Sequence, residues 1–233
     1  MKSAAVHHAP LAERDQLRVS CIMLTMPGRE EFATRAVCAF NAQTYKNKSL
    51  CIRIDRGPNG PTSKTIGHLR NDEIQGARGE IILHWDDDDW SYPDRIMDQV
   101  RFLLDFKHDC TGYNTMLFWR DVPGGRDAEA WIYVNPDKTY CVGTSLCYWR
   151  RVWERHPFPD RPKARGATGE DTEWIRDVDS WAMPFSLKTP PMIAHIHGGN
   201  SMPYNIEELI AHGSTNWLRL QGKDEYCRRI MQL

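Results

Sequence analysis

Four consecutive carboxylates, Asp86-Asp87-Asp88-Asp89, are the residues of this 233-residue chain whose types and spacing most directly offer chemistry. Adjacent carboxylates repel one another, so a structured site keeps them ionised only where water or a cation offsets the repulsion. An all-oxygen donor set suits the hard cations magnesium and manganese, which bind through one or two carboxylates and complete their shell with water and substrate phosphates. A solvated acidic loop is the plain alternative, but the run follows an apolar segment directly and is closed by Trp90 and Pro93, which argues for a fixed geometry. Two further groups stand out. Glu170 and Asp171 follow Gly169 at the start of a helical pattern, where acids serve either as partners of the helix dipole or as a proton acceptor. His195 and His197 are two residues apart on a strand-like segment, so they share one face and lie just before Gly198-Gly199.

The elements around these residues alternate. Val19 to Leu24 is an apolar run ended by Pro27-Gly28, and Glu30 to Gln43 places Phe32, Ala36, Val37 and Phe40 at helical spacing. Leu50 to Asp55 forms a second strand, Thr65 to Gln75 a second helix, and Glu80 to Trp85 a third strand leading into the acids. Such alternation predicts an α/β fold with a mostly parallel, Rossmann-like sheet flanked by helices, whose ligands gather beyond the carboxyl ends of the strands. Asp55 and the acidic run both fall at such ends. A helix over Asp94 to Phe106 follows. From Asp109 to Trp149 short Trp- and Tyr-rich pieces, broken by Pro123-Gly124-Gly125 and Asn135-Pro136-Asp137, predict a hairpin-rich second half. A loop over residues 156–169, the helix at Glu170, a strand from Met192 to His197 and a polar helical region complete the chain.

Residues 1–17 are polar and aperiodic and are expected to be a mobile tail, leaving residues 18–233 as one domain. Within it, residues 18–108 form one half and residues 109–233 the other. The net charge of −1 gives no global footprint for nucleic acid or an anionic membrane. No apolar stretch approaches a membrane span or a secretory signal. Seven scattered cysteines without a close CxxC pair argue against a disulfide framework or zinc module, so a reduced, cytoplasmic protein is expected.

Several fragments, in order, resemble the inverting glycosyltransferases of family 2, which have the GT-A fold. Val19 to Thr25 with Arg29 resembles their first strand and loop, although Met26-Pro27-Gly28 departs from the usual pair there. Gln43-Thr44-Tyr45-Lys46-Asn47 is similar to the segment before the second strand. Ala77-Arg78-Gly79-Glu80 through Asp86-Asp87-Asp88-Asp89 to Arg95 resembles the third strand and the Asp-x-Asp region.

The resemblance implies a nucleotide-sugar donor, a UDP-sugar foremost, with Mn2+ or Mg2+ as cofactor. It assigns Thr25 and Arg29 to the nucleotide pocket, Asp55 to the base or ribose, and Arg70 to the base or diphosphate. The family's second acid after Asp55 is here Arg56. Asp86 would hold the ribose side of the donor and Asp88 the cation. Asp89 would support them, and Asp87, also counted with the donor site, is expected to be largely solvated. A cation there would stabilise the negative charge that builds on the leaving diphosphate. The family's Glu-Asp pair makes Asp171 the base that takes the acceptor proton and Glu170 an acceptor contact. His197, ahead of His195, would complete the metal shell. Trp131, Trp149, Trp153 and Trp174 lie around the acceptor region in sequence; most should be core, with Trp149 and Trp174 the candidates for a sugar platform. The basic stretch Arg161 to Arg165 would be a solvated loop or close over the diphosphate. Two rival functions share the layout. A sugar-phosphate nucleotidyltransferase would need a glycine-rich basic loop after the first strand, which Thr25 to Glu31 lacks. A non-catalytic carbohydrate- or nucleotide-binding protein would keep the fold without turnover. The acceptor is not specified by the sequence.

Overall fold

The computed structural model describes residues 16–57, 60–121, 128–161, 169–186, 188–198, 200, 206–211 and 213–220. Its first sheet carries the expected alternation: β1 (Val19–Thr25), α1 (Glu30–Asn41), β2 (Lys48–Ile54), α2 (Ile66–Gly76) and β3 (Ile81–His84). β1 lies between β2 and β3 and pairs parallel with both, Val19 standing opposite Lys48 on one side and Ile81 on the other. A central parallel strand is covered on both faces, which is why β1 is almost continuously apolar. Its alternation sends Ile22 into a core with Ile74, Ile82, Leu146 and Tyr148. Val19, Cys21 and Met23 enter a second core with Phe40, Ile81, Leu83 and Val100.

The chain continues through β4 (Trp90–Ser91), α3 (Arg95–Phe106), β5 (Cys110–Tyr113), β6 (Thr115–Asp121) and β7 (Ala128–Val134). A 3-10 turn (Gly143–Ser145), β8 (Cys147–Trp149), α4 (Arg150–Arg155), α5 (Glu170–Ile175) and β9 (Ser180–Met183) follow. The last described elements are β10 (Met192–Ile196), α6 (Ile206–Ala211) and β11 (Trp217–Arg219). The strands form a six-stranded sheet, β2-β1-β3-β8-β5-β9, and a five-stranded sheet, β11-β7-β6-β10-β4. A third apolar cluster, including Met116, Phe118, Trp131, Met192 and Trp217, packs the second sheet.

The second half is less hairpin-rich than its sequence predicts. β6 and β7 do form an antiparallel pair, from Thr115 opposite Val134 to Asp121 opposite Ala128. Yet β5 pairs parallel with β9, and β6 pairs parallel with β10, both across long stretches of chain. The two-residue β4, closing the acidic loop against β10, was too short to leave a pattern. The polar C-terminal region holds α6 but also β11, which pairs with β7. The expected tail lies outside the described residues except for its last two, and so do Pro123-Gly124-Gly125, most of the Arg161 to Arg165 stretch and Gly199. Among the described residues, no helix is long and apolar enough to cross a membrane.

Candidate active site

Three parallel strands deliver their C-terminal residues to one edge of the first sheet. Thr25 ends β1, Asp55 follows β2 and donates its backbone N–H to Thr25 O (2.7 Å), and the acids follow β3. The side chain of Asp55 is fixed by the turn beyond it, accepting from Thr62 N (3.0 Å) and Thr62 Oγ1 (2.5 Å). Asp86, Asp88 and Asp89 bring one oxygen each to within 4.8 Å of one another. This hard, oxygen-only set fits magnesium or manganese.

The four acids have separate partners. Asp87 is buried rather than solvated, because Arg29 grips it twice, Nε to Oδ2 at 2.9 Å and Nη2 to Oδ1 at 2.6 Å. The expectation of a free Asp87 is therefore corrected: the turn after β3 points it inward, toward the loop after β1. Asp88 Oδ2 gathers Arg29 Nη2 (2.5 Å), His197 Nε2 (2.9 Å) and Asn200 Nδ2 (3.2 Å). Burial pushes the Asp88 carboxyl up, but the His197 hydrogen bond and the Arg29 charge outweigh it and hold the group below the usual carboxylate range. Asp89 accepts from Thr144 Oγ1 and from the His195 backbone N–H (3.2 Å). Burial first, then the charges of Asp88 and Asp86, push Asp89 well above the ordinary range. Burial likewise raises Asp86 and Asp87 against the opposing Arg70 and Arg29, respectively.

His195 and His197 share a face, as their spacing predicts: Phe32 meets His195 edge-on at 5.5 Å and stacks on His197 at 4.5 Å. Their roles differ. Burial lowers His195 to about 4, so its ring is neutral, whereas His197 faces Asp88.

Arg70 joins the acids to α5. Its side chain is buried in α2, with Nε on Glu170 Oε1 (3.1 Å) and Nη2 3.9 Å from Asp86 Oδ1. Its Nη1 is buried without a hydrogen-bond partner, as is Thr25 Oγ1, so two polar atoms of the expected donor pocket have unused capacity. Asp171, in the first turn of α5, is pushed above the ordinary range by burial first and then by Glu170, with Arg70 opposing. A raised carboxyl that is still close to a guanidinium suits a group that must accept a proton and give it up again.

Of the two tryptophans expected at an acceptor platform, Trp174 is core instead, and Trp149 stands well away from the acids. Trp174 is 0% exposed, stacked on Phe158 at 4.8 Å, with its indole N–H donating to His156 O (2.6 Å). Trp149 pairs with Ile81 at the start of β3, and the five residues onward to Asp86, at up to ~3.3 Å each, separate the two positions along the chain by as much as roughly 16 Å. Arg151 covers its ring at 4.3 Å. Trp131 and Trp153 are core residues. The sequence offered little signal for three other residues that organise the site: Asn200, Thr144 and the wholly buried Arg95. Only the glycines before Asn200 hint at a close approach, and Arg95 was visible merely as part of a resemblance.

Solved structures with a similar backbone decide the fold. S. aureus TarS 1-349 in complex with UDP-GlcNAc superposes with a TM-score of 0.60 at 15% identity, over 79% of this chain and 60% of that one. A mannosyltransferase from Pyrobaculum calidifontis, PcManGT, in complex with GDP-Man and Mn2+ gives 0.55 at 13% identity, over 83% and 60%. The chain has the GT-A fold. GalNAc-T7 with UDP, GalNAc and Mn2+ gives 0.57 at 10% identity, over 78% of this chain and 44% of that one. The chain thus spans about three-fifths or less of the length of these structures. No protein-family model matches it, and no curated protein sequence does.

Proposed function

We propose that this GT-A chain is an inverting, metal-dependent glycosyltransferase of the family 2 type, moving a sugar from a nucleotide diphosphate, with UDP the foremost candidate, to an acceptor hydroxyl. One observation carries the reading: the buried Arg70 lies between the carboxylate trio after β3, 3.9 Å from Asp86, and α5, where it bonds Glu170 next to the raised carboxyl of Asp171. The similar structures were solved with nucleotide sugars, nucleotides or Mn2+, which supports the donor class. Residues 18–108 would carry the donor and residues 109–233 would shape the acceptor side. Six free cysteines among the described residues support a reducing, cytoplasmic setting.

Asp86, Asp88 and Asp89, with His197 beside Asp88, would hold Mn2+ or Mg2+. When bound, the cation supplies Lewis-acid stabilisation of the departing diphosphate. The chain's own groups do the rest. Arg29 and the unpartnered nitrogen of Arg70 face the diphosphate, Thr25 and Asp55 hold the nucleoside, and Glu170 orients the acceptor. Asp171 takes the acceptor proton as the new sugar–oxygen bond forms and the sugar–diphosphate bond breaks. The two departures from family 2, Met26-Pro27-Gly28 and Arg56, lie at the nucleotide end and bear on base selectivity rather than on the bond broken.

The test is consumption of a panel of UDP- and GDP-sugars by the purified chain with Mn2+ or Mg2+. Asp88→Ala and Asp171→Asn should each abolish transfer, and chelator should silence the wild type. Full activity in excess chelator refutes the metal role. Pyrophosphate release from a nucleoside triphosphate and a sugar phosphate would instead identify a nucleotidyltransferase.

A further inference from the structure

Gly143 is a glycine with no backbone reason to be one. Its φ is outside the left-handed region, which among the described residues holds only three glycines, Gly28, Gly60 and Gly213. An alanine would therefore be tolerated by the main chain. Space is what excludes it: a Cβ built on Gly143 would fall within bonding distance of Asp171 Oδ2, and the Cγ and Cβ of Asp171 are also in its way. The Asp171 carboxylate lies directly on the bare Cα of Gly143. A Cβ at Gly169 would meet Asp171 Oδ1 at 2.5 Å, so glycines border the carboxylate on two sides.

The turn that offers this seat is locked from every direction. Gly143 O accepts from Nδ1 of the buried His84 at 2.7 Å. Burial holds that imidazole neutral, and a carbonyl partner makes Nδ1 the protonated nitrogen, leaving Nε2 to accept from Tyr148 Oη at 3.3 Å. Thr144 O accepts from Arg95 Nη2 (3.0 Å), and Ser145 O from Gln99 Nε2 (2.7 Å). Ser145 Oγ accepts from Tyr113 N (2.9 Å) and donates to Val142 O (2.7 Å). The next residue, Thr144, reaches the opposite half of the site by donating Oγ1 to Asp89.

We propose that Gly143 and Thr144 are positioning residues that set the separation between base and metal acids: Gly143 seats the Asp171 carboxylate on its bare Cα while Thr144 holds Asp89. This rests on the reaction proposed above. Two consecutive residues of one rigid turn then fix the position of the groups on either side of the reacting bond. A displacement of about 1 Å in such a group costs on the order of 100-fold in rate.

Gly143→Ala should lower kcat about 100-fold with donor KM within threefold, and should add nothing to the loss already caused by Asp171→Asn. Metal-dependent hydrolysis of the donor by water should persist. A crystal structure of Gly143→Ala should show the Asp171 carboxylate displaced from residue 143. Asp171→Glu, a mild change at a helix start, should be as inactive as Asp171→Asn, because the seat has no room for a longer arm. Thr144→Val should weaken Mn2+ binding, read by the paramagnetic signal of free Mn2+, about tenfold, and Thr144→Ser should restore it. Transfer by Gly143→Ala within threefold of wild type, or substantial activity in Asp171→Glu, overturns the seat while leaving the transferase reading intact. If wild type transfers no sugar, that reading fails, and an unmoved carboxylate in the Gly143→Ala crystal overturns the seat on its own. Unchanged Mn2+ binding in Thr144→Val overturns the second half of the proposal.

Discussion

Replacing Arg95 with methionine tests whether the acidic loop is held from below by one buried cation. Arg95 is 1% exposed at the start of α3. Its Nη2 donates to His84 O (2.9 Å) and Thr144 O (3.0 Å), its Nε to Gln99 Oε1 (3.1 Å) and its Nη1 to Ser91 Oγ (2.9 Å). These partners belong to β3, the 143–145 turn, α3 and β4, so one guanidinium ties four segments around the acids. Methionine keeps much of the length but none of the donors. Ser91 can turn its hydroxyl elsewhere, whereas Gln99 cannot flip, because its amide nitrogen is bound to Ser145 O. Two backbone carbonyls and one amide oxygen are then left without this donor, at about 1–3 kcal/mol each. Relief from burying a charge offsets part of that, leaving a net loss of about 3–5 kcal/mol. With a urea slope near 2 kcal/mol/M, the unfolding midpoint should fall by roughly 1.5–2.5 M. Tryptophan fluorescence reads the transition, and Arg101→Met, exposed on the same helix, should stay within about 0.5 kcal/mol of wild type. An Arg95→Met midpoint within about 0.5 M of wild type, at unchanged slope, would refute the cross-bracing argument.

Asp171→Asn should lose transfer yet gain stability at neutral pH. The folded state raises this carboxyl above its unfolded value of ~3.9. Its stabilising contribution is therefore complete below that value and is lost as pH rises through the folded pKa. The melting temperature of Asp171→Asn should exceed that of wild type at pH 7, and the gap should close toward pH 4; a gap that does not depend on pH contradicts the sign. Trp174→Ala should cost about 3–5 kcal/mol of stability as a core cavity, measured by urea unfolding. Trp149→Ala, on β8 beside the start of β3, should leave acceptor KM within twofold; a large KM rise in initial-rate assays would put an acceptor contact at that position.

The first half of the fold was legible because its signals are local. β1 and β3 are covered on both faces, so each gives a nearly continuous apolar run, and α1 between the first two strands carries its own period and an acidic first turn. The carboxyl ends of those strands then mark the site edge without further knowledge. In the second half the informative pairings join distant residues. Cys110 stands beside Ser180 and Ile193 beside Leu117, in parallel pairs that no hairpin turn announces. Tryptophan content misled for a related reason: an aromatic is compatible with core or platform, and only its packing decides, as the burial of Trp174 against Phe158 does.

Within the site, residue type was legible and role was not. Four adjacent aspartates are indistinguishable by composition, and their differences come from partners far away in sequence. Arg29 turns Asp87 into a buried anchor, His197 and Asn200 surround Asp88, and Thr144 holds Asp89. Gly143 is the extreme case, because its contribution is the absence of an atom. A lone glycine among the tryptophans and cysteines of the second half signals a turn by every local rule, and its backbone turns out not to need one. What it needs is room for a carboxylate that lies 28 positions onward, at Asp171. Steric requirements of this kind are set by the partner that fills the space, so they become visible only when both segments are seen together. The same dependence explains why the proposed base and the proposed metal acids, recognisable separately, could not be given a common frame until one turn was seen to touch both.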